Sequence, residues 1–146
     1  MANFLTARAA ARHMITQGSG VILTLTSGSA RAATPLMGGT GPADAATETF
    51  LRCLAAKVGP ADVRVLGLWA AGVAETFSLE ADTNATRRAS GMNAADIERV
   101  IGERTMLRRP PRLAQIAEVA AFLASDRAGA ITGTIIDVTC GLVPGW

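Results

Sequence analysis

Three apolar runs rich in β-branched residues lie at wide intervals along the chain, and they constrain the fold more than any other feature. They cover residues 21–26, 63–69 and a segment within 131–138. Short runs of this kind are typical of strands that are buried on both faces of a parallel sheet. Because parallel strands need crossover connections of about a dozen residues or more, usually helical, the segments between the runs should contain helices.

Helical spacing of apolar residues is found before and between these runs. Asn3 and Thr40 are predicted to be the N-caps of the first two helices. The predicted elements follow one another in the order helix, strand, helix, strand, two helices, strand. This order predicts an α/β layered fold with right-handed crossovers. The predicted helices are residues 4–17, 42–58, 94–103 and 113–125.

The length of 146 residues predicts a single domain spanning residues 1–146. An apolar content of 49% argues against intrinsic disorder. We expect no membrane span, because no apolar run approaches about 18 residues. We expect a cytoplasmic protein, because the first 20 residues do not resemble a secretory signal. Abundant alanine, with Lys57 the only lysine among 14 basic residues, indicates a GC-rich bacterial genome.

Charge and metal-binding residues exclude several classes of function. A net charge of +2 is too weak to indicate nucleic-acid binding, and the basic cluster at 108–112 contains no aromatic residue. Cys53 and Cys140, with a single histidine in the chain, cannot form a four-ligand zinc site, and we expect no metal. Both cysteines are predicted to be reduced core or interface residues. Trp69 and Trp146 are predicted to be core or interface aromatics.

Three segments of this chain resemble, in order and spacing, the carboxy-terminal half of the short-chain dehydrogenase/reductase family. They read GSGVILTLTS at 18–27, LAAKVGPADVRV at 54–65, and IAEVAAFLASDRAGAITG at 116–133. The resemblance covers essentially the whole chain. It implies a partial Rossmann-like fold with about three parallel strands and flanking helices. It also implies descent from oxidoreductases that use NAD or NADP to interconvert carbonyl and alcohol substrates.

The resemblance assigns three catalytic positions, and two of them are altered. Members of the family carry a serine, followed by a tyrosine and a lysine spaced Tyr-x-x-x-Lys. These positions fall on Ser27, Thr40 and Asp44, and the chain contains no tyrosine. A threonine hydroxyl has a far higher pKa than a phenol, and an aspartate raises the pKa of a neighbouring group where a lysine lowers it. The resemblance therefore predicts that the usual proton transfer is absent.

A structural interpretation of the same residues stays open beside the catalytic one. Ser27 would then be a turn former after a strand. Thr40 would be a helix N-cap, and Asp44 a carboxylate near the positive end of that helix.

The resemblance implies contacts with the nicotinamide end of a cofactor but not with its pyrophosphate. Gly72, Val73 and Thr76 match the family's segment beside the nicotinamide, so the resemblance implies NAD or NADP at these residues. The sequence contains nothing like the Gly-x-x-x-Gly-x-Gly turn that binds the pyrophosphate. The alternative is that this chain binds neither nucleotide.

Relatives in this family pack the helices equivalent to 4–17 and 42–58 against their copies in a second subunit. The resemblance therefore implies a homo-oligomer through these helices, unless their small-residue faces cover the chain's own sheet. Three hypotheses follow for the whole chain: an inactive family member, a non-catalytic dimerisation or interaction protein, and a fragment whose coding start lies further upstream. In the family's strand order, residues 21–26 would form an uncovered apolar edge.

Overall fold

Three parallel strands form the sheet in the computed structural model, which describes residues 2–31, 38–76 and 91–142. The strands are β1 (Gly20–Thr26), β2 (Val63–Trp69) and β3 (Ile135–Asp137), in the spatial order β1-β2-β3. All seven residues of β1 pair with β2, whereas β3 pairs with only the last three residues of β2. The predicted α/β fold with three parallel strands is confirmed.

Within the described part of the chain, four α-helices connect and flank the strands. They are α1 (Ala2–Gln17), α2 (Thr40–Val58), α3 (Ala94–Arg104) and α4 (Leu113–Ala124). Each lies within two residues of its predicted bounds. Of the helices described, none is long and apolar enough to cross a membrane.

Both predicted N-caps are wrong, because each of these residues lies inside its helix rather than before it. Asn3 lies inside α1, where the hydroxyl of Thr6 already donates to the carbonyl of Ala2 in helical geometry. Thr40 is the first helical residue of α2, and Gly39 is the N-cap. Pro42 is compatible with either start, because the first turn of a helix needs no backbone N–H from it. The sequence therefore left the exact start of α2 undetermined.

The core has two layers, one on each face of the sheet. Side chains alternate along a strand, so Val65 packs with α1 and α2 while Leu66 packs with α4. Ala7 and Ala11 of α1 are buried against the sheet. The small-residue face of α1 therefore covers the chain's own strands, which was the alternative to an intersubunit role.

The tryptophan and cysteine residues differ in how deeply they are buried. Trp69 is buried, as predicted, and the prediction for Trp146 lies outside the described residues. Cys53 is exposed on α2, so it is not a core residue, and the interface role that was its alternative stays a prediction. Cys140 is half-buried after β3. The strand β1 lies at the sheet edge, as the family's strand order predicts.

Candidate functional site

Ser27 follows the last residue of β1 and begins a short turn. Its backbone is extended, with φ −117° and ψ 162°, and it is the N-cap of a 3₁₀ turn at Gly28–Ala30. The Oγ atom of Ser27 accepts a hydrogen bond from the backbone N–H of Ser29 at 3.2 Å. The structural interpretation of Ser27 as a turn former is thus consistent with its local geometry.

Asp44 of α2 contacts this serine directly. The Ser27 hydroxyl donates to Oδ2 of Asp44 at 2.6 Å, and the Ser27 backbone N–H lies 3.3 Å from the same oxygen. Both residues are half-buried. A short hydroxyl–carboxylate bond is charge-assisted and stronger than a neutral one. The single hydroxyl proton of Ser27 is therefore already used in the hydrogen bond to Asp44, and Ser27 has no second proton to donate to a substrate carbonyl.

Thr40 lies one helical turn before Asp44 and is exposed. Residues four apart on a helix share a face, so Thr40 is on the same side of α2 as the Ser27–Asp44 pair. Among the hydrogen bonds between described residues, none joins the side chain of Thr40 to Ser27 or Asp44. Two of the three predicted catalytic positions are brought into contact, and the third only lies near them.

Gly72, Val73 and Thr76 form a tight turn after β2. Gly72 has φ +65°, and a Cβ atom there would lie 2.7 Å from Cγ2 of Ile101 on α3, so only glycine fits. The Thr76 hydroxyl donates to the carbonyl of Val73 at 2.8 Å. Next in the turn, the backbone N–H of Ala74 donates to the carbonyl of Pro111. The polar groups of this turn are thus used to hold it against α3 and the segment before α4.

Glu48, a buried carboxylate beside the site, was not predicted from the sequence. Glu48 is 3% exposed, and its Oε1 accepts from the indole Nε1 of Trp69 at 2.5 Å. The guanidinium of Arg31 lies 4.2 Å from the centre of the Trp69 ring, and its Nε is 3.9 Å from Oε2 of Glu48. Helical spacing could have identified it, because Glu48 is four residues after Asp44 and lies on the inward face of α2 with Leu51 and Ala55.

Thr26, the residue paired with Trp69 across the sheet, is also buried at this edge. Its hydroxyl oxygen has no hydrogen-bond partner among the residues that the structure describes. The carboxyl ends of β1 and β2 thus carry the Ser27–Asp44 and Trp69–Glu48 hydrogen bonds and one buried hydroxyl that has no partner among the described residues.

One pocket is lined by a predicted site residue, and a second lies away from the predicted site. One, of about 460 Å³, lies between the starts of α1 and α2 and is lined in part by Phe4, Asp44 and Phe50. The other, of about 490 Å³, lies beyond β3 and is mainly apolar, with Arg109 and Cys140 in its wall. No cluster of three metal-ligating side chains occurs within the described part of the chain.

The donor set around Ser27 does not fit the redox site of a nicotinamide enzyme. That chemistry needs a phenol of lowered pKa and a cation beside it. Thr40 and Asp44, the positions that the resemblance assigns to these roles, carry an aliphatic hydroxyl and a carboxylate that accepts a hydrogen bond from the Ser27 hydroxyl.

Comparison with known proteins agrees with this fold. The family model for enoyl-(acyl carrier protein) reductase matches residues 1–143. Enoyl-[acyl-carrier-protein] reductase [NADH] of Synechocystis is 34% identical over 131 residues, which is 90% of this chain and 46% of that protein.

Solved structures give the same result. An enoyl reductase of Candidatus Liberibacter asiaticus overlays with a TM-score of 0.72 at 27% identity, over 86% of this chain and 45% of the other. A gluconate 5-dehydrogenase of Burkholderia cenocepacia, solved with NADP, overlays with a TM-score of 0.80 over 99% of this chain and 52% of the other. Its 24% identity shows the fold alone.

The chain spans about half the length of the relatives that it matches. Its parallel sheet and crossover helices agree with the match of the family model over residues 1–143. The chain belongs to the enoyl-(acyl carrier protein) reductase group of the short-chain dehydrogenase/reductase family.

Proposed function

We propose that this chain is a non-catalytic member of its family, which does not by itself transfer hydride between NAD or NADP and a carbonyl, enoyl or alcohol substrate. The observation that carries the proposal is the 2.6 Å hydrogen bond from Ser27 to Asp44. It supports a structural role for both residues, because it ties the loop after β1 to the first turns of α2.

The chemistry of the altered positions supports the same conclusion. Reduction of a carbonyl needs a group that delivers a proton as hydride arrives. Thr40 has a pKa far above that of a phenol, and the neighbouring Asp44 carboxylate raises the pKa of nearby acids rather than lowering it. The carboxylate also repels the negative charge of a dinucleotide.

The test is a direct assay of the purified chain. NADH and NADPH are titrated by energy transfer from tryptophan, and turnover is measured with an enoyl thioester and a 3-oxoacyl thioester. The Synechocystis relative is the positive control. We expect neither micromolar binding nor turnover. Turnover by this chain that falls in Ser27→Ala would overturn the proposal.

A second candidate function is self-association through α1 and α2. Phe4, Leu5 and Ile15 of α1 are exposed, and the rings of Phe4 and Phe50 lie 5.0 Å apart where the two helices meet. Exposed apolar side chains on neighbouring helices favour an interface. We propose a homodimer through these larger side chains, since the alanines of α1 are occupied by the sheet.

The self-association proposal is tested by mass in solution. Light scattering after size exclusion should give a dimer for the native chain and a monomer for the double variant Leu5→Glu, Ile15→Glu. Leu113→Glu, an equally exposed position on α4, is the matched control and should remain dimeric. A native chain that is monomeric at high concentration would exclude this interface.

The third candidate, part of a longer polypeptide, is favoured by the match to about half of each relative. Translation of the DNA upstream of the codon for Met1 tests it. An in-frame glycine-rich turn would support a longer protein, and an immediate stop codon would exclude it.

A further inference from the structure

The pocket beyond β3 is enclosed by three parts of the chain. They are the loop between α3 and α4, the first two turns of α4, and the segment that follows β3. The backbone N–H of Leu107 in the loop donates to the carbonyl of Cys140 at 3.2 Å. The buried hydroxyl of Thr105 accepts from the backbone N–H of Arg109 at 3.0 Å. These bonds hold the loop against the end of the sheet, so the pocket is part of the folded structure.

Most of the wall of this pocket is apolar. Ile116, Val119 and Val138 line it, and the side chains of Met106 and Leu107 beside them are exposed. Val119 and Val138 also belong to the core layer between the sheet and α4, so the pocket is continuous with that core. Its volume of about 490 Å³ is within the range of about 300–1,000 Å³ that is typical of small-molecule sites. Such a wall favours an apolar group, because contact removes that group from water.

The guanidinium of Arg109 lies in this apolar wall. Its Nη1 donates to Oε1 of Gln115 at 2.9 Å and lies 3.7 Å from Sγ of Cys140. Arg99 and Arg112 each form an ion pair with a glutamate, but Arg109 forms none with any residue that the structure describes. A guanidinium has five N–H donors in a planar fork that fits a carboxylate. Arg109 therefore keeps donors and an unneutralised charge for an anionic ligand.

Asp137 also lines the pocket, and its carboxylate is held by Thr139. Its Oδ1 accepts from the backbone N–H of Thr139 at 2.8 Å and from the hydroxyl of the same residue at 2.6 Å. Both bonds keep the carboxylate in the turn after β3. An anion in the pocket is attracted by Arg109 and repelled by Asp137. Its charged group is therefore directed to the side of Arg109, which leaves the apolar wall along α4 for the rest of the ligand.

We propose that this pocket binds a monocarboxylate with a single apolar tail. The carboxylate accepts from the free N–H groups of Arg109, and the tail lies against the isoleucine and valine side chains of the wall. A neutral apolar molecule lacks the first contact, and a small hydrophilic anion lacks the second. The competing occupant is a second copy of this chain. The inference is independent of the proposed lack of hydride transfer, because neither Ser27 nor Asp44 lines this pocket.

The test measures binding to the purified chain by isothermal titration calorimetry, below the critical micelle concentration of each probe. The probes are octanoate, decanoate and 1-octanol, which has the apolar tail without the charge. We expect octanoate to bind at least tenfold more tightly than 1-octanol. Decanoate should bind about 15-fold more tightly than octanoate, because two more methylenes leave water. Absence of saturable binding by decanoate would overturn the proposal.

Variants of Arg109 test the source of the preference for an anion. Arg109→Gln removes the charge, and Arg109→Lys keeps it. Arg104→Gln removes an exposed charge of α3 outside the pocket and is the matched control. We expect Arg109→Gln to lose at least tenfold of the preference for octanoate and to bind 1-octanol as the native chain does, whereas the other two variants keep the preference. An unchanged preference in Arg109→Gln would contradict the proposed contact.

The two cysteines of the chain locate the ligand. Cys140 lies in the pocket wall, and Cys53 is exposed on α2, so Cys53 is an internal control. Saturating decanoate should slow the alkylation of Cys140 by iodoacetamide at least fivefold and leave that of Cys53 unchanged, as measured by peptide mass spectrometry. Equal slowing at both cysteines would show non-specific adsorption. Failure of Cys140 to react without decanoate, together with a dimeric mass, would show that a second copy covers the pocket. Either result would overturn the proposal.

Discussion

Glu48 has an ionisable side chain in the interior, and Trp69 explains how it is accommodated. Burial of a polar group costs free energy unless the group is hydrogen-bonded. The indole N–H has one proton to donate and Glu48 accepts it, so each satisfies the other. The guanidinium of Arg31 above the indole ring adds a cation–π contact on the solvent side.

Loss of the Glu48 carboxylate should therefore destabilise the fold. Glu48→Ala leaves the buried indole N–H without an acceptor, and we expect it to lower the free energy of unfolding by about 1–3 kcal/mol. Glu48→Gln keeps an acceptor oxygen and should lose much less. Urea unfolding followed by tryptophan fluorescence measures both. Equal stability of Glu48→Ala and the native chain would contradict a structural role for the bond.

Glu75 gives the fold a dependence on pH. Its pKa is lowered below the ordinary 4.5, chiefly by its own backbone N–H and also by the N–H of Leu113 at the start of α4. Its Oε2 accepts from Leu113 at 3.0 Å. A lowered pKa in the folded state means that the stabilisation is present above about pH 4.5 and is lost as pH falls through the folded value.

Glu75→Gln keeps an acceptor but not the charge. The difference in Tm between the native chain and Glu75→Gln should be largest near pH 6 and should shrink toward pH 3. Thermal unfolding followed by circular dichroism across this range measures it. A difference that stays constant with pH would assign the effect to packing instead.

At the scale of elements, Arg64 joins the central strand to the end of α4. Its guanidinium donates to the carbonyls of Leu123 at 2.8 Å, Ser125 at 2.9 Å and Ala128 at 3.2 Å. The last carbonyls of a helix have no partner within the helix, and a cation there also complements the helix dipole. One side chain of β2 thus caps α4 and orients the turn that leads to β3.

Arg64→Met removes these bonds and keeps most of the aliphatic volume. We expect a loss of about 1.5–3 kcal/mol in the free energy of unfolding, the range for hydrogen bonds to charged groups. Amides in the last turn of α4 should also exchange faster. Arg52→Met, at an exposed position of α2, is the control and should leave both measurements unchanged. Native-like exchange in Arg64→Met would show that α4 is held by packing alone.

For the whole molecule, we expect the edge of β1 to promote aggregation in solution. An exposed, uncharged edge strand is a template for aggregation, and one lysine placed on it discourages edge-to-edge pairing. Leu25→Lys should therefore raise the concentration at which the chain alone begins to scatter light, by about twofold or more. Met106→Lys adds the same charge at another exposed apolar residue, in a loop, and controls for net charge. Equal gains in both variants would attribute the effect to charge alone.

Much of the fold could be predicted because it depends on local patterns. The apolar run at Val63–Trp69 and the helical spacing from Leu113 to Ala124 each specify an element whatever surrounds it. The N-caps predicted at Asn3 and Thr40 were wrong, because the residues around a helix start are compatible with more than one first helical residue. Ser27 and Asp44 were identified through family spacing, but their direct contact was not, since it joins residues 17 positions apart.

The sequence by itself determined the order of elements, the parallel sheet and the absence of tyrosine from the chain, because periodicity and residue identity are local properties. Only the tertiary structure decided that Asp44 accepts a hydrogen bond from the Ser27 hydroxyl, that Glu48 pairs with Trp69 in the interior, and that the outward backbone groups of β1 have no partner among the described residues. These features depend on which surfaces meet after folding. Burial then determines whether a polar group costs free energy or stabilises the molecule.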